Sequence, residues 1–275
     1  MAQFIQVDRV IRIDALYAVF DVVRPAHFYF PGESHDFWEL VYVCEGEVTA
    51  TADERVYHLD RGKLLFHKPM EFHRIWSESD TGPHLMIISF KASGADMVKL
   101  GNSCFALSVR QRKRFEELVA AFCQADTLRD SEDARQRQRA VSLTAALLES
   151  FLLRLTENEE QLPHESTGED AQYTKIVNVM KVNCNKNLSV QELAQKCELS
   201  VSNMKRIFSR FSDMGIAKYF LSLKMRQAME YLENGIPASQ VAELLDFSEI
   251  NYFYTVFKRE TGMTPTQYRK SRPDA

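Results

Sequence analysis

His35, Glu39 and His73 stand among Trp38, Tyr42 and Trp76 in the first third of the chain, and polar groups converging with aromatic rings make a small-molecule pocket. His35, Glu39 and His73 suit the hydroxyls of a sugar, a cation, or the polar end of an aromatic acid, and the residue types leave all three open. A different chemistry stands in LAQKCELSVSNMKRIF, residues 193–208. There Met204, Ile207, Phe208 and Phe211 recur at helical spacing, which turns Val201, Ser202, Lys205, Arg206 and Ser209 outward. A small, polar, basic face fits a major groove, where Arg or Lys reads guanine and short side chains permit close approach. It is equally the face of a solvated helix, so its surroundings must decide.

Those surroundings repeat. VAELLDFSEINYFYTVF, residues 241–257, follows the plan of 193–208: an apolar–Ala pair, a short turn, Leu or Phe before Ser, then an amphipathic helix ending in an apolar–Phe pair. Phe208, Asp213 and Tyr219 correspond to Phe257, Gly262 and Tyr268. Each copy starts a helix, stops it and starts another a few residues later, the plan of a helix-turn-helix. In the first copy Ser189 and Glu192 make a capping box, Leu193, Ala194 and Leu199 supply interhelical packing, and Ser200 caps the second helix. Between the copies, residues 216–235 carry Leu221, Met225, Ala228 and Leu232 on one stripe and stop at Asn234 and Gly235. A helix of that length spans roughly 28 Å, close to one turn of DNA at roughly 34 Å, so a rigid spacer sets two reading helices into successive major-groove segments.

The rest of the chain supplies elements of another kind. From Phe4 to Phe90, short alternating or apolar runs such as YAVFDVV, FWELVYVCEG, KLLFHKP and HLMIISF read as an antiparallel sandwich or barrel, with turns at Gly46, residues 60–62 and Pro69. From Val109 the period changes to helical: Phe115, Leu118, Val119 and Phe122 form one run, residues 140–155 a second, and residues 126–133 the break of an αα-hairpin. Ala140, Leu143, Leu147, Leu148, Phe151 and Leu155 make an apolar stripe, read as a dimer interface. ENEEQLPHESTGED, residues 157–170, is acidic, lacks periodicity and contains Pro163 and Gly168, which marks a linker. Expected domains are therefore an effector-binding β domain at 1–106, a helical hairpin at 107–157, a linker at 158–170 and a DNA-binding domain at 171–275.

Bulk composition agrees with two ordinary domains in 275 residues, at 45% hydrophobic and 26% charged. The net charge of −4 hides an asymmetry: residues 1–170 hold 19 Lys and Arg against 28 Asp and Glu, whereas residues 171–275 hold 15 against 10. A basic C-terminal third suits a polyanion. No run is long and apolar enough for a membrane span, and MAQFIQVDRV lacks the features of a secretory signal, so a cytoplasmic protein with no membrane partner is expected. Cys44, Cys104, Cys123, Cys184 and Cys197 show no CxxC spacing and read as reduced thiols.

With these residues in view, the C-terminal region resembles the AraC/XylS family of bacterial transcription regulators, two helix-turn-helix units joined by a long helix. Ala242, Phe247, Ser248, Tyr252, Phe253, Phe257, Lys258, Gly262, Thr264, Pro265, Tyr268 and Arg269 match the family's hallmark run at its spacing. The resemblance covers about 100 residues closely. HDFWELVYVCEGEV followed by RGKLLFHKPMEFH resembles the family's cupin-like effector domain, including the His-x(3)-Glu-x(6)-Gly spacing at His35, Glu39 and Gly46 and a second histidine at His73. The central helices then match the family's usual dimerisation segment. The fold class implied is α+β and multidomain: an antiparallel cupin-like β barrel with a helical hairpin, then an all-α DNA-binding domain.

Carried over by position, the family's roles give base contacts to Ser202, Lys205 and Arg206 in the first unit and to Ile250, Asn251 and Tyr254 in the second, with phosphate contacts from helix starts such as Ser248. Ser200, Val201 and Thr255 complete the expected DNA-facing set. The sequence departs from the family at four points: Asp246 replaces the usual turn glycine, Thr255 the usual arginine, Asp213 another glycine, and the Ser-Pro start of the linker helix is missing. Thr255 makes the second unit the less basic reader, so the 201–210 helix is expected to carry most base specificity.

A cupin barrel can also hold a metal on two or three histidines and a glutamate and perform oxygenase, isomerase or epimerase chemistry. His35, Glu39 and His73 keep part of that spacing, while the first histidine of the usual H-x-H pair falls at Glu33. A fused DNA-binding module needs a ligand-dependent switch more than a reaction, so the expectation is an effector-responsive activator, homodimeric, acting with RNA polymerase on double-stranded DNA, with no catalysis and no cofactor. The alternatives are a metal-dependent cupin enzyme with a regulatory tail, and a regulator controlled by a partner protein or by cysteine redox without a small ligand.

Overall fold

In the computed structural model the apolar runs of the first third become antiparallel strands: β1 (Arg12–Val23), β2 (Tyr29–Glu33), β3 (Trp38–Glu45), β4 (Glu47–Ala52), β5 (Arg55–Asp60), β6 (Lys63–His67), β7 (His73–Trp76), β8 (His84–Ser93) and β9 (Cys104–Ala106). A short helix, α1 (Met97–Leu100), precedes β9. The structure describes Ile5 and residues 8–158, 161–162, 166 and 168–271. Pro163 and the first four residues of the N-terminal stretch lie outside the described residues. The chain divides into two units, Met1–Glu165 and Ser166–Ala275.

In the first unit the strands form two sheets, ordered β1-β8-β3-β6-β9 and β2-β7-β4-β5. The expected barrel is therefore not closed: among the described residues no ladder joins one sheet to the other. Two of the edges explain this, because β9 is only three residues long and β2 is interrupted by a register shift between Phe30 and Glu33. Short and bulged edge strands end pairing rather than extend it.

Two apolar layers hold this unit together. Val41, Val43, Leu65 and Leu85 from the five-stranded sheet meet Val48, Ala50, Leu59 and Ile75 from the four-stranded sheet. The opposite face of the five-stranded sheet, with Trp38, Leu40, Tyr42, Leu64, Phe66, Ile88 and Phe90, is covered by α2 (Val109–Thr127) and α3 (Ala134–Asn158). A sheet covered on both faces reads as continuous apolar sequence, which is why FWELVYVCEG shows little polar alternation. α2 starts at a capping box between Ser108 and Gln111 and contributes Phe115, Leu118, Val119 and Phe122 to this layer. From α3, Leu148, Phe151, Leu152 and Leu155 enter the same layer and Leu147 packs against it, so most of the expected dimer stripe packs inside its own unit. Val141 and Leu143, nearer the start of α3, stay exposed.

The expected linker begins and ends in structure. Leu162 donates its N–H to the Cys104 carbonyl at 2.8 Å and packs on the intersheet core, and α4 (Gly168–Val182) begins inside the 158–170 interval. The second unit continues with α5 (Val190–Lys196), α6 (Val201–Phe211), α7 (Ile216–Glu233), α8 (Ala238–Leu244), α9 (Ile250–Thr261) and α10 (Pro265–Ser271). Its core takes Tyr173, Ile176, Val177 and Met180 from α4, with Met204, Ile207 and Phe208 from α6, Tyr219 and Phe220 from α7, and Phe253, Val256 and Phe257 from α9. No helix among the described residues is long and apolar enough to cross a membrane.

Candidate functional site

In the second unit the two halves of the repeat adopt the same turn. Glu198 and Asp246 follow α5 and α8 with φ of 60° and 55°, and the next residues close the same hydrogen bond back over the helix end, Leu199 N–H to Ala194 O at 3.0 Å and Phe247 N–H to Ala242 O at 2.9 Å. This is the left-handed helix stop that glycine usually takes, and Asp is among the residues that tolerate it. Asp246 adds a contact glycine lacks, because its Oδ2 accepts from the Asn187 N–H at 2.8 Å. The usual glycine is therefore dispensable at this turn.

α6 follows its turn with Ser200 as N-cap, the hydroxyl accepting from Asn203 N–H at 3.2 Å. Met204, Ile207, Phe208 and Phe211 are buried beneath it, while Ser202, Lys205, Arg206, Ser209 and Arg210 are exposed and Val201 is half-buried. This is the inward and outward division that helical spacing predicts. Arg206 is engaged inside its own unit: its guanidinium donates to Glu169 Oε1 on α4 at 2.7 Å and to Asn203 Oδ1 at 3.1 Å, and Arg210 donates to the same Glu169 carboxylate. The hydrogen bond from Arg206, aided by the charge of Arg210, holds the Glu169 carboxyl below its ordinary pKa. Glu169 carried no signal in the sequence reading, because it lies at the end of the acidic run.

α9 is built differently. Glu249 is its N-cap and provides no side-chain cap, so Ser248 sits before the helix, exposed. Phe253 and Phe257 are fully buried and meet one another, Phe247 and Tyr268 in tilted or edge-on contacts at centroid distances of 5.3 to 5.7 Å. Ile250, Asn251 and Thr255 are exposed and Tyr254 is half-buried, so the outer face is largely uncharged. The Thr255 hydroxyl donates back to the Asn251 carbonyl at 2.9 Å.

In the first unit the six expected pocket residues divide. Trp38 and Tyr42 point into the layer beneath α2 and α3, where the Tyr42 ring lies 5.3 Å from Phe115. Glu39, one residue away on β3, points to the opposite face, as strand alternation requires. Trp76 also turns away, its ring under the Arg74 guanidinium at 4.9 Å, while Ile75 beside it enters the intersheet core. His35, Glu39 and His73 come together without the aromatics, and Glu33 joins them.

Register explains that meeting. Glu33 on β2 lies opposite His73 on β7, and Glu39 on β3 lies opposite Ser89 on β8 and His67 on β6. The cluster thus sits where one end of each sheet meets the other. His73 Nε2 is 3.5 Å from Glu39 Oε1, and His35 Nε2 is 4.0 Å from both Glu33 Oε1 and Glu39 Oε2. The Ser89 hydroxyl donates to Glu39 Oε2 at 3.3 Å. Glu33 reaches its place through the bulge at Gly32, whose φ of +95° and closeness to His73 O, 2.8 Å from where a Cβ would stand, exclude other residues.

Burial separates the imidazoles electrostatically. Burial, assisted by neighbouring His73, lowers the pKa of His35. Burial would lower His73 too, but the Glu39 carboxylate, 3.5 Å from its Nε2, outweighs it and the pKa is raised. His67 is fully buried at the end of β6, stacks on His73 at 4.3 Å and has its pKa driven well down by burial. Its Nδ1 lies 3.2 Å from Glu71 Oε2, and burial, with the charge of Asp53, pushes Glu71 up to about 8. The His67–Glu71 spacing was visible in the sequence, but its burial depends on pairing with β3.

Residues 22–171 match the model for the AraC-like ligand binding domain, and residues 193–271 match that of a helix-turn-helix domain. The HTH-type transcriptional activator RhaR of Enterobacter sp. (strain 638) is 22% identical over 256 residues, covering 87% of each chain. The Msm operon regulatory protein of Streptococcus mutans serotype c is 25% identical over 246 residues, covering 86% of this chain and 84% of that one. Among solved structures, ToxT from Vibrio cholerae O395 is similar at 11% identity and a TM-score of 0.38, covering 98% of this chain and 100% of that one.

Proposed function

Starting from the fact that the chain belongs to the AraC-like family of ligand-binding helix-turn-helix transcription regulators, we propose that it is an activator whose DNA contacts are led by Lys205 and Arg206 and whose effector binds at His35, Glu39 and His73. The observation that carries the DNA assignment is the repeated turn at Glu198 and Asp246, which delivers α6 and α9 from equivalent stops. α6 presents Ser202, Lys205 and Arg206 outward on a face with buried apolar residues behind it. Those groups suit guanine edges in a major groove, and Ser200 stands at the helix start, where backbone N–H groups favour a phosphate. α9 offers Ile250, Asn251, Tyr254 and Thr255, suited to thymine methyls and to positioning more than to charge-based readout.

On this reading the protein works as a homodimer through the exposed start of α3, where Val141 and Leu143 stand free of the core. It activates through RNA polymerase in the cytoplasm and performs no catalysis. The RhaR relative is a transcriptional activator, and a regulator needs ligand-dependent affinity for DNA rather than turnover.

Selection of DNA sites from a random pool, followed by competition between the selected site and random duplex, tests the assignment. Replacing both Lys205 and Arg206 with Ala should abolish preference for the selected site. Unchanged preference in that double variant would sink the assignment.

A further inference from the structure

We propose that Glu33, His35, Glu39 and His73 bind one divalent first-row transition-metal ion. The regulatory meaning of the site rests on the effector reading above, and the proposal names the ligand class that reading leaves open. It runs against the expectation of a chain without a metal.

The donor atoms argue for a cation. One ligand atom from each of the four residues lies within 4.8 Å of the other three. The tautomers are settled by neighbours that can only accept: His35 Nδ1 faces the Phe37 carbonyl at 3.0 Å and His73 Nδ1 faces the Glu71 carbonyl at 3.2 Å, so both Nδ1 atoms carry hydrogen. Each Nε2 therefore offers a lone pair toward two carboxylates, and both Nε2 atoms are buried without a hydrogen-bond partner. A ring nitrogen fixed by a backbone carbonyl, with the other nitrogen aimed into a cluster of acceptors, is how metal-ligating histidines are oriented.

Size and charge narrow the occupant. Bonds of about 2.0–2.2 Å to nitrogen and oxygen put two ligands of one ion about 3 to 4.4 Å apart. Three imidazole–carboxylate separations, 3.5 to 4.0 Å, fall within that interval, and the full spread of up to 4.8 Å needs only a small closure around an ion. A sugar ring or an aromatic acid needs more room than four ligand atoms at this spacing leave between them. Two carboxylates balance a dication, and two imidazoles with two carboxylates and no thiolate suit zinc, iron(II), manganese, cobalt or nickel rather than copper(I). Access is from one side: the Glu33 side chain is 51% exposed and that of His73 1%, so Glu33 is the mouth and His73 the floor.

Placement gives the ion leverage on the fold. Glu33 and His73 belong to the four-stranded sheet and Glu39 to the five-stranded sheet, while His35 lies on the loop between β2 and β3 and its carbonyl accepts from Met70 N–H at 2.6 Å. One ion would therefore tie both sheets and two loops together. The rival occupant is a proton shared by His73 Nε2 and Glu39 Oε1, 3.5 Å apart.

The test uses the full chain, stripped with a chelator and titrated with cobalt(II), manganese(II) and zinc(II). Expected are one equivalent per chain, visible cobalt absorption and a raised melting temperature. Glu33→Gln, at the exposed mouth of the cluster where folding is least affected, and His35→Gln, on its covered side, should each weaken uptake about tenfold or more. His84→Gln, which disturbs only a surface pair with Asp21, should leave it unchanged. No saturable uptake of any of the three metals, or uptake indifferent to Glu33→Gln and His35→Gln, overturns the proposal. DNA-site selection on the same preparations keeps the two readings apart: site-selective DNA binding by a protein that takes up no metal overturns the metal site alone. Uptake with the expected variant pattern in a protein that selects no DNA sequence supports the metal site and overturns the DNA assignment.

Discussion

Glu169, in the first turn of α4, accepts from the Arg206 guanidinium at 2.7 Å, so the arginine proposed above to read a base is paired with a carboxylate of its own unit. Arg210 donates to the same carboxylate. DNA must displace this pair before Arg206 can reach a base. Glu169→Ala should therefore raise affinity for DNA by a small factor, roughly fivefold at most, the scale of exposed ion pairs. A carboxyl held below its ordinary pKa keeps its contribution above the unfolded value of about 4.3 and loses it only as pH falls through the lowered folded value. The gain should therefore be the same at pH 6 and pH 8. Titration of labelled duplex at both pH values checks it; weaker binding by the variant would show that the pair orients Arg206 instead of competing for it.

Thr255 lies on the exposed face of α9, and its hydroxyl is spent on the Asn251 carbonyl. Thr255→Arg should leave folding intact, since arginine has the higher helix propensity, and add one phosphate or base contact. The slope of log affinity against log salt should steepen by about 0.9 for one added phosphate contact. An unchanged slope would mean that this face of α9 does not meet DNA.

Gly32 holds a φ of +95° in the β2 bulge, and a Cβ there would stand 2.7 Å from Phe72 Cζ and 2.8 Å from His73 O. Backbone is the unyielding neighbour. Gly32→Ala should cost about 2 kcal/mol or more in stability, from the left-handed φ and the collision together. The loss should appear in the melting of the β unit, read by chemical denaturation of the whole chain with a probe in each unit.

The thiols of the β unit are poor redox sensors. Burial, followed by the charge of Asp21, pushes Cys44 up to about 12, and burial pushes Cys104 up to about 11. The reactive thiolate is scarce at neutral pH under those conditions. Both cysteines should react with iodoacetamide far more slowly than a free thiol, and mild oxidant should leave DNA affinity unchanged. Rapid modification of Cys44 or Cys104 with a parallel change in DNA binding would restore control by oxidation.

The helix-turn-helix pair was legible because its determinants are near neighbours. Ser189 and Glu192 are three residues apart and form the capping box, Ser200 caps α6, and Met204, Ile207, Phe208 and Phe211 are buried as their spacing predicts. Helical contacts join residues three and four apart, so a short window holds the cause and its effect. Even the departure at Asp246 had a local explanation, since an aspartate tolerates the left-handed turn that its position demands.

The polar cluster was only half legible. His35 and Glu39 stand close in sequence, but by residue type Trp38 and Tyr42 are equal candidates, and only the strand direction sends them to the opposite face from Glu39. A sheet buried on both sides hides that alternation, because both faces are apolar. Glu33 and His73, 40 positions apart, meet only through the β2–β7 register, and His67 reaches the site only through its pairing with Glu39. The sequence alone determined the two kinds of unit, the family and the outward face of α6, because local spacing and hydrogen bonding dictate them. Tertiary structure decided which residues share the polar cluster and which carboxylate holds Arg206, because both depend on contacts between strands or helices far apart along the chain.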